Sequence, residues 1–129
     1  MNSLLLFLER VKTMNVKECI TQIDEIKPNQ FDNFVKIGWL NILDGQIETE
    51  ILKAHEGYEG EFKPYSEDEP DRELLVAFPY DDIYISFLTM KIDEANAELA
   101  RYNNSAATFN NKLDTYSKWY TRNHMPKGV

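Results

Sequence analysis

Apolar residues recur along this chain with helical rather than strand spacing, in four runs separated by polar or proline-bearing breaks. In the first run Val16, Cys19, Ile20 and Ile23 fall at i, i+3, i+4 and i+7 behind Asn15, and Glu18 stands three residues after Asn15 as a capping box requires. Lys27-Pro28-Asn29 ends that run, because proline disfavours helical geometry in the residue before it. The second run opens near Asp32 and aligns Val35, Trp39, Leu43, Ile47 and Ile51, with Leu40 and Ile42 widening the apolar face. Asp44-Gly45 is a common turn pair, and an interior Gly costs ~1 kcal/mol relative to Ala. Ile47 and Ile51 nevertheless keep the phase of the earlier stripe, which predicts one continuous helix.

The third run starts at Pro79 and the acidic pair Asp81-Asp82, which suit a helix N-terminus by fixed φ and by the helix dipole. Its seam of Tyr84, Leu88, Ile92, Ala95, Leu99 and Tyr102 predicts a helix to about Tyr102. Ile83, Phe87 and Met90 make its first half apolar nearly all round, so that half is expected to be the most buried part of the fold. Asn103-Asn104-Ser105 supplies residues that tolerate left-handed geometry and cap a following helix, which predicts a reversal there. A fourth helix is expected on Ala106, Phe109, Leu113, Tyr116 and Tyr120, with Trp119 extending the stripe and Pro126 closing it. Helices three and four then form an antiparallel hairpin ~30 Å long at 1.5 Å per residue.

Between the second and third runs the periodicity collapses into a long connection. Residues 56–73 hold eight acidic side chains against Lys63 and Arg72, six of the chain's eight net negative charges. Residues 61–65 alternate charged and aromatic positions and read as a brief strand or hairpin arm. The expected architecture is all-α: a small helical domain with a long antiparallel helix hairpin at the C-terminal end, a shorter helix pair at the N-terminal end and a long acidic loop between.

At 129 residues, 43% apolar and 28% charged, the chain suits one folded unit rather than disorder or a membrane span. Met14 stands directly before the first capped helix and reads as an alternative start. Residues 1–13 then form an N-terminal extension, and residues 14–129 the single helical domain. Within the extension Leu4, Leu8 and Val11 fall along one helical face, and the segment is expected either to be poorly ordered or to dock on a neighbour. The apolar run there is too short to cross a bilayer, and its charges follow it rather than precede it, unlike a secretion signal. The lone Cys19 cannot form an intramolecular disulfide and suits a reducing cytoplasm. A formal charge of -8 without any Lys or Arg cluster argues against a grip on nucleic acid, though a negative wall would let a duplex pass.

Candidate chemistry is sparse. His55-Glu56 matches half of a zinc motif, but Glu59 occupies the place of the second His, so His55 reads as a solvated loop residue. The acidic run from Glu67 to Glu73 lacks the spacing and central Gly of a calcium loop and reads as a solvated or partner-facing arm. Cys19 lies on an apolar helix face as a small hydrophobe. Asp93, Glu94 and Glu98 have no His at bundle-metal spacing. His124, beside Arg122, reads as a helix C-terminal cap. No nucleophile with a base and no Gly-rich phosphate loop is present, so no catalytic, cofactor-binding or metal residue is assigned and the chain is not expected to be an enzyme. The aromatic excess of Tyr80, Tyr84, Phe87, Tyr102, Phe109, Tyr116, Trp119 and Tyr120 fits core seams, and Trp119 beside two tyrosines is more than one seam requires. The expected interface residues are Tyr58, Phe62, Tyr65, Glu67, Asp68, Glu69, Tyr116, Trp119 and Tyr120.

Several short pieces occur in a distinctive order: Val16-Lys17-Glu18-Cys19-Ile20, Ile26-Lys27-Pro28-Asn29, Trp39-Leu40-Asn41-Ile42-Leu43-Asp44-Gly45, Leu74-Leu75-Val76, Pro79-Tyr80-Asp81, Arg101-Tyr102-Asn103-Asn104-Ser105, Phe109-Asn110, Trp119-Tyr120-Thr121-Arg122 and His124-Met125-Pro126. Together they resemble small proteins of Gram-positive tailed phages and prophages, encoded near the major capsid gene and described as head-tail connectors or adaptors. The resemblance covers nearly everything after Met14; residues 1–13 lie outside it, and Gly38 stands where a better helix former is expected. It implies a structural virion protein at the head-tail junction, assembled in the bacterial host cytoplasm. It further implies a homo-oligomeric ring beneath the portal that lines the DNA exit channel. Its partners would be further copies of itself, the portal protein and a downstream head-completion or tail protein. DNA would pass without sequence-specific binding, and no membrane or cofactor is implied. The rival reading is a small acidic helical regulator, antitoxin-like or inhibitor-like, that covers a basic site on a host protein. It would bind one copy to one partner with strong salt dependence.

Overall fold

The computed structural model describes residues 12–128. The extension assigned to residues 1–13, with the helical face expected at Leu4, Leu8 and Val11, falls outside the described residues apart from Lys12 and Thr13. Four α-helices follow in order: α1 (Val16–Ile26), α2 (Asn33–Ile47), α3 (Ile83–Ala95) and α4 (Leu99–Asn123). The fold is all-α, with no strand among the described residues. The arm expected at residues 61–65 is irregular chain without a ladder.

Local chemistry sets the helix starts. Asn15 accepts from the Glu18 N–H at 2.8 Å while the Glu18 carboxylate accepts from the Asn15 N–H at 3.1 Å, a complete capping box. Asp32 caps α2 through the Val35 N–H at 3.1 Å. α2 runs unbroken through Gly45 and then widens into a single π turn, Glu48–Leu52, with the Lys53 N–H reaching the Glu48 carbonyl at 2.8 Å. The extra residue in that turn lets Glu48, Ile51 and Leu52 all face inward. A 3₁₀ turn, Tyr80–Asp82, leads into α3.

The core lies where the inward faces of the four helices meet. Val16, Cys19 and Ile23 of α1, Leu40, Leu43 and Ile47 of α2, and Ile83, Tyr84, Leu88 and Ile92 of α3 are each at most 2% exposed. The first half of α3 is thus as buried as its all-round apolar pattern predicts. α3 and α4 run antiparallel: Asp82 meets Lys112, the Phe87 and Phe109 rings lie 5.1 Å apart, and Asp93 meets Ser105. One ion pair fastens the shorter helix pair to α3 and another joins its two members. Lys27, just past α1, reaches Asp93 at 2.6 Å, and Lys36 of α2, 2% exposed, reaches Asp24 of α1 at 2.6 Å.

The reversal between α3 and α4 corrects the sequence expectation. It falls at Asn96, Ala97 and Glu98 rather than at 103–105. The Glu98 N–H reaches back to the Asp93 carbonyl and the Ala97 N–H to the Glu94 carbonyl, each at 3.0 Å, which is the Schellman pairing. Ala97 holds the left-handed position at φ 56°, a place usually taken by Gly or Asn, so its residue type gave no warning. Asn103, Asn104 and Ser105 sit inside α4, and the Ser105 hydroxyl donates to the buried Asp93 carboxylate at 2.8 Å instead of capping a helix. Leu99 therefore leaves the predicted seam and is 71% exposed, and Ile42 on α2 faces outward at 58%. Because a Cβ costs roughly 1 kcal/mol in left-handed geometry, Ala97→Gly is expected to raise the unfolding free energy by about 0.5–1 kcal/mol. Urea denaturation of the two proteins measures it, and a loss of stability would contradict the turn described.

Candidate functional site

The connection from Lys53 to Pro79 is long, but its backbone is fixed at both ends and in the middle. At its start His55 is buried, not solvated as its loop setting suggested. Its Nδ1 donates to the Ile51 carbonyl at 2.6 Å, which leaves Nε2 to accept from the Thr121 hydroxyl at 3.0 Å, and its ring meets Tyr120 edge-on. The Glu56 N–H donates to the Met125 carbonyl at 2.7 Å and the Lys127 N–H to the Ala54 carbonyl at 2.9 Å, so the C-terminal tail pairs briefly with the loop's start. Both imidazole nitrogens of His55 are engaged, and no group of three His, Cys, Asp or Glu capable of holding a metal occurs among the described residues.

The middle is held by Asp44 of α2, which is fully buried. Tyr65 donates to its Oδ2 at 2.6 Å and Tyr84 to its Oδ1 at 2.8 Å. Each hydroxyl in turn accepts a backbone N–H from the loop's end, Leu75 to Tyr65 at 2.8 Å and Val76 to Tyr84 at 2.7 Å. Asn41 completes the attachment by exchanging two hydrogen bonds with the Tyr65 backbone, at 2.7 and 3.1 Å. One carboxylate therefore joins α2, α3 and both ends of the segment between Tyr65 and Val76. Sequence reading took Asp44 only as half of a turn pair. The available signal was its phase, four residues after Leu40 and seven before Ile51, which places it on the apolar face.

Burial pushes the Asp44 carboxyl up to about 6, against the two tyrosine hydrogen bonds and the Arg72 charge, which pull it down. The folded chain then binds a proton that the unfolded chain does not hold between about pH 6 and about pH 4. The contribution of this group to stability rises as pH falls through that window. Asp81, also raised by burial, acts in the same direction, while Glu48, held down first by the Tyr58 hydrogen bond, acts in the opposite one. The comparison that isolates Asp44 is with Asp44→Asn. Relative to that variant, wild type is expected to gain about 2 kcal/mol between about pH 7 and about pH 4. Parallel stability profiles across that range would remove the assignment.

The nine residues expected at an interface divide into three groups. Tyr65, Tyr116 and Tyr120 are buried within the chain and are corrected to core positions. Tyr58, Phe62 and Trp119 are half-buried, with Tyr58 donating to Glu48 at 2.6 Å and the Phe62 N–H bound to the same carboxylate. Glu67, Asp68 and Glu69 are exposed. Around Trp119 the rings gather closely: Tyr80 lies 4.9 Å away, Tyr116 5.9 Å and Tyr120 6.3 Å between centroids. His124 stacks on Tyr120 at 3.8 Å and its Nδ1 donates to the Tyr120 carbonyl at 3.0 Å, so it closes the end of α4 as its position suggested. Beside this cluster opens a cleft of about 310 Å³ whose walls include Leu52, Tyr58, Phe78, Trp119 and His124.

A different surface escaped the sequence reading. On α2, Phe34 is 75% exposed and Ile42 58%, two turns apart, with Gly38 between them and Gly45 continuing the line. A Cβ at either glycine would meet nothing within 4 Å in this chain, so the face is open as well as apolar. Its signal was present, since Phe34, Gly38, Ile42 and Gly45 follow i, i+4, i+8 and i+11 spacing.

Fold and surface together define a class only in outline: an all-α protein with exposed apolar side chains on α2 and at the start of α4. No helix among the described residues is long and apolar enough to cross a membrane. Comparison with protein-family models, curated proteins and solved structures finds no match to the chain.

Proposed function

We propose that this protein is a head-tail connector of a tailed phage or prophage, a subunit of a ring joining the portal to the tail and surrounding the path of exiting DNA. The observation that carries the reading is a pair of unpartnered apolar surfaces on different helices. One is the Phe34 and Ile42 face of α2; the other surrounds Leu99, 71% exposed at the start of α4 beside Tyr102. A ring built head to tail needs two unlike faces on each subunit, whereas a two-fold dimer needs one. The ordered sequence pieces and the formal charge of -8, which would let DNA slide past, support the same reading. In this reading the exposed acidic segment that includes Glu67, Asp68 and Glu69 faces either the portal or the ring lumen.

The test is solution mass at rising protein concentration, with and without the portal protein of the same element. The expected result is a concentration-dependent ring or a portal-dependent one. A chain that stays monomeric and ignores the portal overturns the proposal. The acidic regulator is the second reading, favoured by the exposure of Glu67, Asp68 and Glu69. It predicts a one-to-one complex that weakens steeply with salt, and no protein in the virion.

A further inference from the structure

We propose that the aromatic cleft at the end of α4 receives a cationic side chain, arginine in preference to lysine, carried by a partner protein. Tyr58, Phe78, Tyr116, Trp119, Tyr120 and His124 line it, and none of the cleft's lining residues is Lys, Arg, Asp or Glu. Aromatic faces are electron-rich and attract a cation placed within roughly 6 Å of the ring centroid. The chain already uses this contact elsewhere. Arg72 lies 4.7 Å from the Tyr65 centroid and 5.7 Å from that of Phe62, and Lys91 lies 5.8 Å from that of Trp39. Those are the cation-ring contacts among the described residues, so the largest aromatic cluster is without one.

One carboxylate borders the cleft: Glu48 accepts from the Tyr58 hydroxyl at 2.6 Å, with Lys53 at 3.5 Å from its other oxygen. Burial, and after it the Glu48 carboxylate and the more distant Glu61, push the Tyr58 hydroxyl up to about 12. An apolar occupant would gain from the rings but not from this carboxylate; a cation gains from both. Arginine is preferred because its flat, weakly hydrated guanidinium can stack on a ring face, whereas an ammonium is a strongly hydrated point charge. A protein carrier is indicated by the cleft's surroundings. Its rim residue Phe78 is 43% exposed, and Tyr58 belongs to the 56–73 segment with its six net negative charges, which would draw further basic residues flanking the arginine.

This inference goes beyond the connector reading and does not depend on it. The titration uses the full-length chain at a concentration where it is monomeric, so binding and ring formation can fail separately. Acetyl-arginine amide, acetyl-citrulline amide, acetyl-lysine amide and a short peptide with one arginine between lysines are added in turn while the Trp119 indole N–H is followed by NMR. The Trp39 indole, already faced by Lys91, is the internal control. Saturable shifts confined to Trp119 are expected, with arginine about two- to fivefold tighter than its uncharged citrulline analogue. Lysine should be weaker than arginine and the peptide tighter than the amide. Trp119→Leu, followed instead through the backbone amides of Tyr120 and His124, should lose saturable binding, and Phe78→Ala at the 43% exposed rim should weaken the Trp119 response. Equal binding of citrulline and arginine overturns the cation preference, and lysine as tight as arginine overturns the preference for arginine. A peptide no tighter than the amide overturns the protein carrier, and an absence of saturable shift with every probe overturns the site.

Discussion

Tyr84→Phe is expected to lower the unfolding free energy by about 4 kcal/mol, although it removes a single oxygen atom. The Tyr84 side chain is fully buried, and its hydroxyl donates to Asp44 and accepts from the Val76 N–H. Losing a hydrogen bond to a buried carboxylate costs about 1.5–3 kcal/mol, and the stranded Val76 N–H adds a desolvation cost of about 1–3 kcal/mol. Asp44 would keep Tyr65 as a partner, so the fold should survive with a weakened attachment between α2 and the end of the long segment. Urea unfolding gives the total effect. Amide exchange locates it: protection at Leu75 and Val76, and at Val16 and Lys17, which bond to Arg72 and Pro70 of the same segment, should fall well before that in the later turns of α1, whose amides bond within the helix. A change below about 1 kcal/mol would mean that this network does not hold the segment in place.

The same network explains what the sequence did and did not disclose. Helix starts were legible because one or two residues carry them: Asn15 with Glu18, and Asp32, perform the capping that their types suggest. The apolar stripes placed most of the core, including the burial of the early part of α3. The reversal was not legible, because Ala97 takes a left-handed conformation that three conspicuous polar residues six positions later advertised more strongly. Ser105 is polar for a partner on another helix, Asp93, and no pattern within its own helix indicates that. The long acidic connection illustrates the same limit. Its charge was read correctly as exposed at Glu67, Asp68 and Glu69, but its anchoring by Tyr65 and His55 depends on groups 21 and 66 residues away along the chain. Contacts at such separation leave no periodic trace, so Tyr65 was read as surface and His55 as solvated.

Phe34→Glu and Ile42→Glu are expected to abolish ring formation while leaving the monomer folded. Both side chains project from α2 with more than half their surface exposed, so a charge there disturbs no buried contact within the chain. Placed in the centre of a subunit interface, the same charge would be buried without a partner, a cost of several kcal/mol for each contact around a ring. Gly38→Ala separates the two settings further. In the isolated chain its methyl group meets nothing and should stabilise α2 by about 1 kcal/mol. If a neighbouring subunit packs against the line from Phe34 to Ile42, that methyl occupies the space the neighbour needs, so the variant should melt later as a monomer and assemble less well as a ring. Circular dichroism confirms the fold of each variant, and solution mass with the portal present reads assembly. Rings formed by Phe34→Glu and Ile42→Glu at wild-type concentrations would show that α2 faces solvent in the assembly and move the subunit contact elsewhere.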